Sequence, residues 1–326
     1  MRGLALLSGG LDSTLATKLL QEQGIDVVAI NFKSPFCLCG KGGCGAAGIA
    51  KQLGVHLKTI TIGEEYLEMI RNPKHGYGKN MNPCIDCRIF MLKKAKEMLK
   101  ELGASFLFTG EVLGQRPMSQ HRKALEIIEK EAGLEGMILR PLSAKSLPET
   151  EAERKGWVDR EKLLDISGRS RKLQLQLASD FGLRDFPCPA GGCLLTSKEF
   201  AMKIKDLFKY NKQVTLNDIS LLKIGRHFRF GKNKIIVGRN EAENKQLMKL
   251  KQESDYFFEV PNCGSPITLL QGQKGKVAIE KAAALTLRYS DQKDDKAIVL
   301  YNSGNGAHSI IPSALTSAEI DNLRIK

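Results

Sequence analysis

The chain has 326 residues, 42% of them hydrophobic and 26% charged, and no run of 18 apolar residues, which excludes a hydrophobic membrane-spanning helix and leaves length for two separate cores. Fifty Lys and Arg against 36 Asp and Glu give a formal net charge of +14. That excess points to a polyanionic partner such as nucleic acid, with a solvated or ion-paired basic surface as the plainer alternative. Met1-Arg2-Gly3 leads straight into a strand with no signal-peptide pattern, so a cytoplasmic location is expected.

In chain order, apolar runs predict strands at 3–7, 25–32, 56–62, 105–109 and 137–141. Helical periodicity predicts helices at 14–23, 45–53, 64–71, 88–102 and 119–132, and Gly24, Gly54 and Gly103 read as their C-terminal caps. Apolar strands alternating with amphipathic helices predict an α/β fold, a parallel sheet with helices on both faces. Ligands of such sheets bind at the carboxyl ends of the strands. The segment 166–212 reads as a linker followed by a cysteine turn and helices at 171–181 and 197–209. From 213 to 326 the pattern changes to a smaller α+β domain, with strands at 227–230, 234–237, 256–260 and 297–301 and helices at 240–251 and 275–287.

The most informative stretch is Ser8-Gly9-Gly10-Leu11-Asp12-Ser13, which joins the first strand to the first helix. Glycines let the backbone approach a ligand closely, and a helix start offers N–H groups and positive dipole, which suits phosphate. Asp12 repels phosphate unless a cation lies between them, so Mg²⁺ is implied. The plain alternative is a strand–turn–helix with a Ser or Asp cap. The spacing is neither Gly-x-x-x-x-Gly-Lys-Ser/Thr nor Gly-x-Gly-x-x-Gly. It resembles the Ser-Gly-Gly-x-Asp-Ser signature of the PP-loop ATP pyrophosphatases. That resemblance implies a PP-loop catalytic domain over residues 1–165. It also implies that ATP is split to AMP and pyrophosphate with adenylylation of the substrate, on Ser8, Gly9, Gly10, Asp12 and Ser13.

The eight cysteines cluster as Cys37, Cys39 and Cys44, then Cys84 and Cys87, then Cys188 and Cys193, with Cys263 alone in a loop. In a cytoplasmic protein this suggests metal ligation or thiol chemistry rather than disulfides. Cys84-Ile85-Asp86-Cys87 at a helix start suits a redox dithiol, half a zinc site or half an iron–sulfur site. Together with the opening motif, these cysteines resemble those of the tRNA thiolation enzymes, especially the 2-thiouridylase group, over about residues 1–200. Ile166-Ser167-Gly168-Arg169-Ser170-Arg171-Lys172 is similar to the linker that precedes the third cysteine in that group. The resemblance implies that ATP adenylylates a uridine carbonyl oxygen and that sulfur then displaces AMP. The sulfur rides either as a persulfide on Cys193, with Cys188 as a rival, or on a 4Fe-4S cluster held by Cys84, Cys87 and Cys193. The cluster is preferred; a Zn²⁺ knot and buried thiols are the alternatives. The Cys37–Cys44 loop departs from the simpler pattern and leaves the ligand set open.

Thr109-Gly110-Glu111 and Arg116 follow the fourth strand, in the turn that faces ATP and substrate in PP-loop proteins. Arg116 is expected to clamp a phosphate and Glu111 to help hold Mg²⁺, against the alternative of a polar loop capping the sheet. Asn31 and Phe32 end the second strand, where the superfamily reads adenine, although Phe32 also suits a core. Ser119-Gln120-His121-Arg122-Lys123 offers a basic helix face to RNA. Gly225-Arg226-His227-Phe228-Arg229-Phe230-Gly231-Lys232 alternates basic and aromatic residues, which fits base stacking or an amphipathic strand with buried rings. This part of the chain is similar to the NFACT-R RNA-binding domain. The expected function is an ATP-dependent tRNA sulfurtransferase with tRNA and a persulfide carrier or sulfide as partners, in monomeric or homodimeric form. Its competitors are a PP-loop amidating enzyme or ligase acting on a small molecule, and a non-catalytic RNA-binding protein.

Overall fold

Short runs of Leu, Val, Ile and Phe become five parallel strands: β1 (Arg2–Leu6), β2 (Asp26–Lys33), β3 (His56–Thr61), β4 (Phe106–Thr109) and β5 (Ile138–Leu139). Their order is β3-β2-β1-β4-β5, so β1 lies at the centre with β2 on one side and β4 on the other. Between and after them run α1 (Leu11–Gln21), α2 (Ala46–Leu53), α3 (Glu65–Arg71), α4 (Cys84–Glu101), α5 (Arg122–Ala132), α6 (Glu151–Arg154) and α7 (Lys172–Asp180). The computed structural model describes residues 1–37, 45–183, 192–294, 296–303 and 306–326. Cys39, Cys44 and Cys188 fall outside them.

Side chains alternate across a strand, and the two faces of the sheet sort accordingly. Ala5, Ala29, Phe106 and Phe108 meet Leu15 and Leu19 of α1, Ile49 and Leu53 of α2 and Ala178 of α7. Leu4, Leu6, Val28, Ile30 and Leu107 meet Ile89, Leu92 and Ala95 of α4 and Ile128 and Ala132 of α5. Each such leucine contributes about 1.5–3 kcal/mol on burial. The expected doubly covered parallel sheet is present.

The chain divides into two compact units, Met1–Ser197 and Lys198–Lys326. The segment read as a linker is shared: residues up to 197 fold with the parallel sheet, and α8 (Lys198–Tyr210) begins the second unit. That unit continues with α9 (Leu216–Leu222), β6 (Arg226–Phe230), β7 (Asn233–Val237), α10 (Glu241–Leu250), β8 (Tyr256–Glu259), β9 (Thr268–Gln271), α11 (Lys276–Arg288), β10 (Val299–Asn302), β11 (Ala307–Ile310) and α12 (Ser317–Leu323). Its antiparallel sheet has the order β11-β10-β8-β9-β7-β6. Ile235, Val237 and Leu270 pack with Ala282 and Leu285 of α11. Ile236 and Leu269 pack the other way, with Leu221 and Leu247. Among the described residues, no helix is long and apolar enough to cross a membrane.

Candidate active site

The order of strands reverses direction at β1, and the Ser8–Ser13 loop leaves from its carboxyl end, where open α/β sheets form their ligand crevice. Two glycines let other segments close on this loop. Gly9 has φ +77°, and a Cβ there would lie 2.6 Å from the Gly45 carbonyl carbon at the start of α2. A Cβ on Gly110, after β4, would collide with the backbone of Asp12 and Ser13. The hydroxyls of Ser8 and Ser13 lie 3.1 Å apart, and Ser13 Oγ and Thr14 Oγ1 both donate to the Gly10 carbonyl, at 3.0 and 2.9 Å. α1 begins at Leu11, behind Gly10, with no side-chain cap. The loop thus combines small residues, hydroxyls and an uncapped helix start. Asn31 Nδ2 donates to the Leu7 carbonyl at 2.8 Å, so Asn31 braces the loop's entry. Phe32 is half-buried against the core on the α4 face.

Asp12 Oδ2 accepts from Gln115 Nε2 at 2.6 Å and lies 3.9 Å from Arg171 Nη2 of the linker. Gln115 Oε1 in turn accepts from Gln174 Nε2 of α7 at 3.1 Å. Asp12 Oδ1 is buried and has no hydrogen-bond partner among the described residues. Burial raises the Asp12 carboxyl above its ordinary value, although Gln115, Arg171 and Arg116 pull it down. A buried carboxylate oxygen without a donor fits a hard oxygen-seeking cation such as Mg²⁺.

Glu111 is surrounded by arginines. It is 1% exposed, its Oε1 lies 3.2 Å from Arg88 Nε, and its Oε2 accepts from Arg140 Nε at 3.1 Å and from Thr109 Oγ1 at 3.2 Å. Arg140 also binds Glu129. Burial alone would raise Glu111, but Arg88, Arg140 and the Thr109 hydrogen bond outweigh it and hold the carboxyl below its ordinary value. Glu111 thus acts as a counter-ion that fixes two guanidiniums, while its Oε1, like Asp12 Oδ1, is buried with no hydrogen-bond partner among the described residues, the feature on which the expected Mg²⁺ contact would rest. Arg116 is exposed and faces Cys84 and Asp12 as well as the guanidiniums Arg88 and Arg171; desolvation and those like charges lower its pKa.

α4 starts four residues earlier than predicted, so Cys84 and Cys87 occupy its first turn, three residues apart on one face. Cys87 Sγ lies 2.9 Å from the hydroxyl of buried Tyr66. The segment carrying Cys193 is held on two sides: Leu194 N donates to the Phe36 carbonyl at 2.8 Å, and Met81 N donates to the Leu195 carbonyl at 3.1 Å. Asn80 Nδ2 adds a bond to the Thr196 carbonyl at 2.7 Å. Cys193 stands opposite Cys37 in an antiparallel bridge. Burial pushes the Cys193 thiol up to about 12, with Cys87, Cys84 and Cys37 close enough to add to the rise. Burial also raises Cys84, against Arg116 and Arg88, and Cys87, against the Tyr66 hydroxyl and Arg88.

Cys84, Cys87 and Cys37, the last from the loop that left the ligand set open, all act electrostatically on Cys193, and the structure adds Arg88, Gln115 and Gln174, which the sequence did not single out as partners. No three His, Cys, Asp or Glu side chains among the described residues are grouped tightly enough to hold a metal ion. The all-sulfur donor set nevertheless has the chemistry of zinc or an iron–sulfur group. Residues in the two stretches expected to meet RNA also have structural roles. His121 Nδ1 accepts from Ala124 N at 3.2 Å as the cap of α5. Phe228 is fully buried and Arg229 Nε donates to Asp206 at 3.0 Å, so that strand is amphipathic core.

Residues 1–149 match the family model of the thiamine biosynthesis protein ThiI, and residues 225–323 match that of the NFACT protein RNA binding domain. The chain is 24% identical over 223 residues to the tRNA-specific 2-thiouridylase MnmA of Xanthobacter autotrophicus, covering 63% of this chain and 54% of that one. It is 31% identical over 117 residues to MnmA of Pelobacter propionicus, covering 34% and 33%. It spans about a third to a half of the length of these relatives. Among solved structures, the U34-tRNA thiolase NcsA from Methanococcus maripaludis, with its 4Fe-4S cluster, is 20% identical with a TM-score of 0.33, covering 68% of this chain and 73% of that one. The similarity to tRNA thiolation enzymes and to an RNA-binding domain, read from the motifs, is thus found again.

Proposed function

We propose that this protein is an ATP-dependent tRNA sulfurtransferase that adenylylates a uridine carbonyl oxygen and replaces that oxygen with sulfur. One observation carries the reading: the Ser8–Ser13 loop at the carboxyl end of β1 closes round a buried Asp12 oxygen that has no hydrogen-bond partner among the described residues, in the same unit as the thiols of Cys84, Cys87 and Cys193. The N–H groups of the loop and of the α1 start bind the phosphates of ATP. Asp12 Oδ1 offers its orphaned oxygen to Mg²⁺, while Arg116 and Arg171 neutralise the departing pyrophosphate. Asn31 braces the loop, and Gln115, backed by Gln174, orients Asp12. A uracil oxygen leaves poorly as such and well as AMP, so adenylylation precedes sulfur attack.

Cys84, Cys87 and Cys193 are the residues to hold a 4Fe-4S cluster or, in its place, Zn²⁺. A bound cluster would present sulfide as the nucleophile at an open position. Tyr66 fixes Cys87, and the Asn80 and Met81 contacts hold Cys193 near the head of α4. For tRNA as substrate speak the RNA-binding-domain match over residues 225–323 and the balance of 22 Lys and Arg against 14 Asp and Glu in residues 198–326. An amidating enzyme for a small molecule has no use for either the thiols or this second unit.

Mass spectrometry of tRNA nucleosides from a strain lacking the protein tests the proposal. Loss of one thionucleoside, restored by the wild-type chain, is expected. Cys193→Ala should retain ATP–pyrophosphate exchange and fail to restore it. An unchanged nucleoside profile, or full restoration by Cys193→Ala, overturns the assignment.

A further inference from the structure

We propose that Cys37 is the partner thiol of Cys193, and that in the metal-free chain the two close into a reversible disulfide that withdraws Cys193 from sulfur chemistry. The consequence for sulfur rests on the function proposed above; the bond itself rests on geometry. Leu194 N donates to the Phe36 carbonyl at 2.8 Å, and this bond joins residues flanking the Cys37–Cys193 bridge. The two cysteines therefore occupy a non-hydrogen-bonded antiparallel pair, whose Cα atoms stand about 4.5 Å apart with side chains on the same face. Disulfides span Cα separations of about 4.4–6.8 Å, so the bridge closes with little backbone movement.

Cys84 and Cys87 also lie near Cys193, but among the described residues the backbone bridge pairs Cys193 with Cys37. Cys84 and Cys87 lie one helical turn apart, with about 5–6 Å between Cβ atoms against about 3.8 Å in a disulfide. Bridging them requires side-chain and backbone adjustment at the start of α4, as a Cys-x-x-Cys dithiol can make, so this pair is the competitor that the experiment must separate. Cys87 is also engaged by the Tyr66 hydroxyl, 2.9 Å away. The Cys193 backbone, by contrast, is already pinned: its neighbours bond Phe36 on one side and Asn80 and Met81 on the other. Ordering costs little where the chain is already ordered.

The oxidation requires an external acceptor of two electrons, and a small disulfide such as oxidised glutathione is sufficient. Cys37 attacks one of its sulfurs to give a mixed disulfide and expels one glutathione thiolate. Cys193 then attacks Cys37 Sγ and expels the second. Two protein thiols lose two protons and two electrons, one S–S bond breaks, one forms, and two glutathione molecules are released.

The full chain, purified metal-free and reduced, is treated with oxidised glutathione, blocked with N-ethylmaleimide, digested without reductant and analysed by mass spectrometry. The expected product is a Cys37–Cys193 linked peptide, with Cys84 and Cys87 carrying maleimide, and dithiothreitol should restore maleimide at both linked cysteines. In Cys37→Ser, Cys193 should keep its maleimide after the same treatment. A dominant link from Cys193 to Cys84, Cys87 or Cys188, or no linked peptide at all, overturns the pairing. The peptide readout does not depend on turnover. A linked peptide from a chain that thiolates no tRNA would sink the sulfurtransferase reading and leave the pairing standing.

Discussion

Replacing Glu111 with Gln keeps the shape of the side chain and removes one buried charge. In the wild type that charge is 1% exposed and faces Arg140, which is 4% exposed, and Arg88, which is partly exposed. Removing one partner of a buried pair costs about 3–5 kcal/mol, because the other charge is left uncompensated. Glu129 still binds Arg140, and Arg88 is reached by solvent, so the lower end, about 3 kcal/mol, is expected. For a unit of this size that lowers the melting midpoint by roughly 6–12 °C. Trp157, the only tryptophan, packs with its ring 6.2 Å from that of Phe106, so its fluorescence in a urea titration reports the first unit by itself. The pH dependence adds a signed test. The folded Glu111 carboxyl titrates below its unfolded value, so its contribution is complete above the unfolded value. That contribution fades as pH falls through the folded one, and the gap between wild type and variant must shrink in acid. A loss under about 1 kcal/mol, or a gap that widens in acid, refutes the counter-ion role. If Glu111 instead held Mg²⁺, the variant would be as stable as wild type without the ion, and Mg²⁺ would stabilise only the wild type.

Three further outcomes are expected. Asp12→Asn should abolish ATP–pyrophosphate exchange yet raise the urea midpoint, because the folded carboxyl titrates above its ordinary value and its ionisation costs stability as pH rises through that range; a lowered midpoint or intact exchange counts against this. Tyr66→Phe removes a hydroxyl that lowers the Cys87 thiol, so Cys87 should react more slowly with iodoacetamide at mildly alkaline pH, with about 1 kcal/mol of stability lost, and a faster reaction would contradict the contact. Binding of tRNA should weaken at least about tenfold between roughly 50 and 200 mM salt, and salt-insensitive binding would exclude phosphate contacts as its source.

What the sequence shows about this fold is what local physics encodes. The Ser8–Ser13 loop was legible because small residues, hydroxyls and a helix start follow an apolar strand within a few positions. The five parallel strands were legible because each is a short apolar run between amphipathic helices. α4 was read as running from residue 88, with the two cysteines at its start; the helix in fact begins at Cys84, directly after Pro83. β9 and β11 were missed because the first lies close behind Pro266 and the second is almost wholly exposed, so neither carries a periodic signal. The pairing of Cys37 with Cys193 joins positions far apart in the chain, and no local pattern announces it. Arg88 and Gln174 escaped notice for the same reason: as isolated letters they read as ordinary helix surface, and only tertiary packing sets them against Glu111 and Gln115.

The arginines around the loop suggest an order for the proposed reaction. Arg88, Arg116, Arg140 and Arg171 stand near Asp12, Glu111 and Glu129, while burial keeps Cys84, Cys87 and Cys193 protonated in the metal-free chain. Glu111 and Glu129 hold Arg140, and Glu111 restrains Arg88, while Arg116 and Arg171 both act on Asp12 and Arg116 also on Cys84. Charge on one side draws on the attraction available to the other, and thermodynamic linkage makes that effect mutual. In the proposed reaction a bound triphosphate would compete with an anionic sulfur for the charge of Arg116. Departure of pyrophosphate would remove that competition. Activation of the carbonyl would thereby strengthen the site for the nucleophile only after the carbon is ready to be attacked, and hydrolysis of ATP ahead of substrate would gain nothing from the sulfur centre.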